Sequence, residues 1–295
     1  MLKIMLSLLT IVTAGFTYIY TIDLKKNIAS NKKGVFIPGL IIGFITDFLD
    51  AIGVGSFATT TAILKLNPKL KVADKLLPGT LNVAHTLPMI TQAFMSLTVI
   101  SVDIVTLISL IVSAALGSYI GAGIISKLPE KKVQLTMGLA LVFVAFLLVL
   151  GQLDLMPTGG EAMELKGYKL VIGVVGNFIL GALMTAGIGL YAPCMAMVAL
   201  LGMNPMAAFP IMMGSCAFVG PIASTKFVRE GAYEREISMG ITLGGIIGSI
   251  LALLFVTNLS IYWLKWLVVL VVCYTAFTML STSLKPDQDK LKIAS

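Results

Sequence analysis

Three ionisable residues stand where charge is costly. Asp47 and Asp50 are the only charges in the apolar run 34–52, and His85, the single histidine, sits inside the uncharged run 76–102. At the centre of a bilayer an Asp costs about 2.5–3.5 kcal/mol even on lenient scales, so a function is its default explanation. Asp47 and Asp50 are three residues apart and share one helical face. They could hold a proton or Na⁺ with His85 as relay, or they could cap a helix break and pair with a lysine at the rim; a lone histidine is more often a packing residue. Hydroxyl and amide donors gather around two glycine pairs. Ser56, Thr59, Thr60 and Thr61 follow Gly53-Val54-Gly55, Thr185 and Tyr191 flank Gly187-Ile188-Gly189, and Thr80, Asn82 and Ser215 lie on the runs that come next. Such groups can bind a ligand or glue helices together. Cys194 and Cys216 read as small buried packing residues. Three cysteines without a CxxC pair, and one histidine, make no disulfide framework and no zinc site, so neither a metal nor a cofactor is expected. No nucleophile–base pair stands out in the sequence, so an enzyme is not expected. No Gly-x-x-x-x-Gly-Lys-Ser/Thr occurs, which excludes transport driven by this chain's own nucleotide hydrolysis.

The elements that position these groups are membrane helices. Of 295 residues, 58% are apolar and 12% charged, and the mean hydropathy is +0.99, values that fit neither a water-soluble nor a disordered chain. Runs free of Lys, Arg, Asp and Glu cover 4–22, 76–102, 104–126, 133–153, 237–264 and 266–284, each long enough for one crossing of about 20 residues. The run 170–225 is too long for one helix. Gly187-Ile188-Gly189, Asn204-Pro205 and Pro210 divide it into 170–186, a short 190–203, and 209–225. The run 34–52 likewise breaks at Gly53-Val54-Gly55 and resumes as 56–66 before Asn67-Pro68. Both read as broken, re-entrant hairpins. If each returns to its starting side, every Lys and Arg of the 21 except Lys3, Lys166, Lys169 and Lys265 falls on one face, which the positive-inside rule assigns to the cytoplasm. The net charge of +7 is then topological, and nucleic acid is not an expected partner. Residues 1–22 read as a retained first helix with an outside N-terminus, the alternative being a signal peptide.

The breaks align. Gly53-Val54-Gly55-Ser56-Phe57-Ala58 pairs with Gly187-Ile188-Gly189-Leu190-Tyr191-Ala192, then Asn67-Pro68 with Asn204-Pro205, Gly79-Thr80 with Gly214-Ser215, and Gly117…Gly121 with Gly244…Gly248. Each unit is one hairpin plus three crossings, so the second enters from the opposite face: an all-α polytopic membrane protein built as an inverted repeat. The expected segments are 1–33 (extra helix and basic loop), 34–153 (first repeat), 154–169 (extracytoplasmic linker), 170–284 (second repeat) and 285–295 (cytoplasmic tail). The Gly-x-x-x-Gly pairs read as close helix packing.

Two glycine-broken helices, each followed by an Asn-Pro turn and then by Gly79-Thr80-Leu81-Asn82 or Gly214-Ser215-Cys216-Ala217, resemble the sulfite exporter TauE/SafE family over roughly 35–284. The resemblance implies transport of small anions such as sulfite, sulfonates or related sulfur-containing or organic anions. A physical reading goes with it. A helix broken at depth frees N–H groups at the start of its second half, and an anion can take them. The expected substrate-binding residues are Gly53, Val54, Gly55, Ser56, Thr59, Thr80, Asn82, Gly187, Ile188, Gly189, Tyr191 and Ser215, with Asp47, Asp50 and His85 as candidate coupling groups for H⁺ or Na⁺. The expected function is a secondary carrier by alternating access, with export favoured where no coupling ion is used. The alternatives are a passive anion channel and a proton- or sodium-coupled importer.

Overall fold

The computed structural model describes residues 2–27, 34–67, 69–70, 72–96, 102–255 and 262–284, and among these the chain forms eleven α-helices and no β-strand. They are α1 (Leu2–Asn27), α2 (Phe36–Ala51), α3 (Ser56–Leu66), α4 (Leu77–Ser96), α5 (Ile104–Ile125), α6 (Glu130–Gln152), α7 (Tyr168–Met184), α8 (Tyr191–Leu200), α9 (Ala208–Arg229), α10 (Arg235–Phe255) and α11 (Tyr262–Leu284). The breaks fall at the glycines. Gly53, Gly55 and Gly187 have φ of 87°, 94° and 98°, where L side chains are strained and a right-handed helix cannot continue.

Among the described residues six helices are long and apolar enough to span a bilayer: Leu6–Asn27, Ile104–Ile125, Glu130–Gln152, Pro210–Arg229, Arg235–Leu254 and Trp266–Leu284. Their outward faces are apolar and open, with Ile11, Leu116, Phe146 and Phe277 all more than half exposed. A surface of that kind, on helices of this length, fits a lipid surround. This is a multi-pass helical membrane protein. α4 is as long but less apolar, with Thr80, Asn82, His85, Thr86 and Gln92 on it, and all five are buried. Its polar side chains are tolerated because they face other helices. Thr86 Oγ and Ser224 Oγ, 2.8 Å apart, tie it to α9.

The packing is interlaced. α2 lies parallel to α10, with Gly39 against Ile237 and Gly240, Gly43 against Ile241, and Gly244 and Gly248 against Leu40 and Phe44. A Cβ on Gly43, Gly240, Gly244 or Gly248 would fall on the partner's backbone, so these glycines set how closely the helices meet. α7 lies on α5 in the same way through Gly117, Gly121 and Gly181.

Both broken segments return to the end they start from. α2 begins beside Gly240, near the start of α10. α3 descends antiparallel to α4, Thr60 bonding His85, and beyond it Lys65 bonds Asp74 just before α4 begins. That end also gathers Asp23 with Arg235, Thr80 with Glu234, and Asp74 with Gln134. Lys65, Lys75, Lys131, Lys132, Lys226 and Arg229 lie on the segments that meet there. α7 starts at the other end, where the Leu165 N–H donates to Thr106 Oγ. α8 returns there, where the Gly160 N–H donates to the Met203 carbonyl. Lys166 and Lys169 are exposed at this opposite end. Lys32, Lys33, Lys71 and residues 285–295 lie outside the described residues, as do the side chains of Lys3 and Lys265.

Candidate functional site between the two breaks

Both turns meet one cavity. Its wall includes Asp50, Val54, Gly55, Ser56 and Phe57 from the first break, and Gly189, Leu190 and Pro193 from the second. α4 adds Met89 and Gln92, α6 adds Val144 and Leu148, and α9 adds Met212, Met213 and Cys216. The cavity measures about 60 Å³, room for on the order of four or five water-sized groups. By helical rise it sits about 18–22 Å along α4 and about 6–12 Å along α9, so it is nearer the opposite end than the basic one. Gly55 and Gly189 face it with no atom within 4 Å of where a Cβ would stand. At Gly55 the positive φ independently demands glycine.

Polar groups are few and specifically placed. Asp50 Oδ1 accepts the Ser56 N–H, the first amide of α3, at 2.8 Å. Gln92 Nε2 donates to Asp50 Oδ2 at 3.2 Å and to Ser249 Oγ at 3.0 Å. One layer toward the basic end is a fully buried chain of three groups. His85 Nδ1 is 2.9 Å from both Asp47 oxygens, and His85 Nε2 is 3.0 Å from Thr60 Oγ. Asp47, His85 and Thr60 are each 0% exposed. A carboxylate, an imidazole and a hydroxyl in this order are the parts of a nucleophile–base system, and the sequence separation of 47, 60 and 85 gives no hint of it. None of the three lines the cavity; in this arrangement the Thr60 hydroxyl meets the ring.

The remaining expected residues divide by place. Val54, Gly55, Ser56 and Gly189 line the cavity; Gly53, Gly187 and Ile188 shape the turns behind it. Thr59 is turned to its own helix, donating to the Gly55 and Ser56 carbonyls. Thr80 lies at the basic end of α4, donating to the Leu76 carbonyl and accepting from the Glu234 N–H. Asn82 donates to the Pro78 carbonyl and, at 3.3 Å, to the Thr185 carbonyl beside the second break. Ser215 accepts from Asn177 Nδ2 at 2.9 Å. Thr80, Asn82 and Ser215 are thus used in holding helices together. Tyr191 opens α8, but its side chain lies outside the described ones. Gln92, Met89, Met212 and Met213 join the site unannounced by the sequence, since they carry no break, repeat or isolated charge.

Among the described residues no cluster of His, Cys, Asp and Glu could hold a metal ion. No family model matches the chain, no curated protein matches it, and no solved structure matches it.

Proposed function

We propose that the chain is a secondary transporter of the kind that makes up the sulfite exporter TauE/SafE family, moving a small anion such as sulfite or a sulfonate across the cytoplasmic membrane by alternating access. The observation that carries this reading is the single cavity walled at once by the starts of α3 and α8. Two half-helix ends aimed at one internal space, each contributing about 0.3–2 kcal/mol toward a negative charge, are how a bilayer protein replaces part of an anion's hydration.

An inverted repeat pairs α2 with α7, α3 with α8, α4 with α9, α5 with α10 and α6 with α11, leaving α1 outside. The packing supports that assignment, because each hairpin is gripped by a helix of the other half: α2 by α10, and α7 by α5. In this reading the basic end is cytoplasmic, the N-terminus lies outside and the C-terminus inside. α1 belongs to the folded bundle: Leu9, Phe16 and Tyr20 are buried, and Asp23 accepts from Tyr233 and Arg235 at 2.6 and 2.7 Å.

Counterflow in proteoliposomes tests the reading. Vesicles preloaded with unlabelled sulfite or a sulfonate should accumulate the labelled anion transiently and saturably. Flux that never saturates and shows no counterflow would mean a passive anion channel, and no flux of either kind would remove anion transport altogether.

A further inference from the structure

The end of α3 that would receive an anion already holds one, and it is the protein's own. Asp50 Oδ1 takes the Ser56 N–H at 2.8 Å while the carboxylate lines the cavity. Ser56 Oγ lies beside that carboxylate, in a residue 1% exposed on the same cavity wall, and completes no hydrogen bond. A hydroxyl so placed on the cavity wall is a donor available to a ligand. The second break differs, because Met184 occupies the position that aligns with Asp50.

We propose that Asp50 is a resident anion that the transported anion displaces, so that substrate binds at the start of α3 only as Asp50 takes up a proton, one H⁺ per anion. This rests on the small-anion reading above and names its coupling ion. The step is a proton transfer with no redox change. A proton joins the Asp50 carboxylate, Oδ1 releases the Ser56 N–H, and the incoming anion accepts that N–H and the Ser56 hydroxyl. The new Asp50 O–H is then a further donor to the anion. Without the proton, two negative charges would compete for one amide in a confined, largely apolar space, and like charges there strongly disfavour both being ionised.

The titratable groups facing Asp50 are Asp47 on its own helix, His85 from α4 and the Cys216 thiol from α9. α3, α6, α8 and α10 present Ser56, Val144, Leu148, Leu190 and Ser249, none of which titrates in the ordinary range. His85 lies about 10 Å nearer the basic end than Gln92 by helical rise, so Asp50 and His85 can be separated by mutation.

The test uses the purified full-length protein in sodium-free buffer, titrated calorimetrically with methanesulfonate, whose charge does not change between about pH 5.5 and about pH 8. Wild type should bind with an apparent Kd that rises toward roughly tenfold per pH unit once Asp50 is ionised. Paired measurements in buffers of different ionisation enthalpy should show about one proton taken up per anion in that range. Asp50→Asn should bind with no slope and no proton uptake, and His85→Gln should keep both. Binding by wild type without slope or uptake overturns the displacement proposal while leaving the anion reading in place, even if Asp50→Asn fails to fold. A slope that survives in Asp50→Asn and disappears in His85→Gln also overturns it. Absence of methanesulfonate binding at every pH overturns both the proposal and the anion reading beneath it.

Discussion

At the residue scale the most informative position is Gly189. Its backbone φ lies outside the left-handed region and nothing stands within 4 Å of a Cβ there, so a side chain adds bulk to the cavity without straining the turn. Gly189→Val should therefore fold with a near-wild-type thermal midpoint while losing ligand affinity. Overpacking of about 1–3 kcal/mol corresponds to roughly five- to 150-fold. Unchanged affinity in a folded Gly189→Val protein would move the ligand elsewhere. The buried pair makes a second prediction. Removing His85 strands the Asp47 carboxylate at zero exposure, a loss of about 3–5 kcal/mol for a broken buried pair. His85→Leu combined with Asp47→Asn should unfold later than His85→Leu alone, because the charge is gone. If the double variant is the less stable one, the pair is not the ionic unit its geometry suggests. Asp47 and Asp50 were legible in the sequence because charge is conspicuous in an apolar run. The network around them was not: Gln92 reaches Asp50 from α4, while Thr60 and Ser249 bond His85 and Gln92 from other helices, and no spacing rule connects them.

At the element scale the breaks were legible and the ends of helices less so. Gly-x-Gly and Asn-Pro carry their own backbone consequences, whereas Glu130 and Arg235 begin helices whose apolar runs start later, at 133 and 237. Thr80 illustrates the cost. α4 starts at Leu77, so a hydroxyl expected near the ligand stands at the end of the bundle instead. α5 is held at its start by Asp103, whose Oδ2 accepts the Thr106 N–H at 2.9 Å and the Thr106 hydroxyl at 3.0 Å. Chiefly that N–H holds the carboxyl below its ordinary pKa. A carboxyl depressed on folding contributes stability above the unfolded-state value of about 4, and the contribution is lost as pH falls through the lower folded value. The gap in thermal midpoint between wild type and Asp103→Ala should thus be full at neutral pH and shrink as pH drops below about 4. A gap that stays constant with pH would show that the cap works without its charge.

At the scale of the whole molecule, the distribution of cations makes a prediction about sides. Lys69 and Arg229 are exposed at one end, and Lys166 is exposed at the other. In a cysteine-free background, single cysteines at positions 69 and 229 should both be shielded from a membrane-impermeant maleimide added to intact cells, and one at position 166 should react. Reaction at 69 but not at 229 would break the assignment of the basic end to one compartment. The off-centre position of the cavity was beyond the sequence, because it depends on how far each hairpin penetrates, and that is fixed by packing between helices that are distant in the chain.

That interlacing also constrains when the protein can mature. The glycine-faced side of α2 finds its partner only in α10, whose first residue follows Phe36 by almost 200 positions. During synthesis the first hairpin must wait in the membrane with a bare strip of backbone until α10 has been inserted. Folding is therefore late and long-range, and a nascent chain halted before α10 would present to quality-control proteases an unmated helix that no local rearrangement can cover.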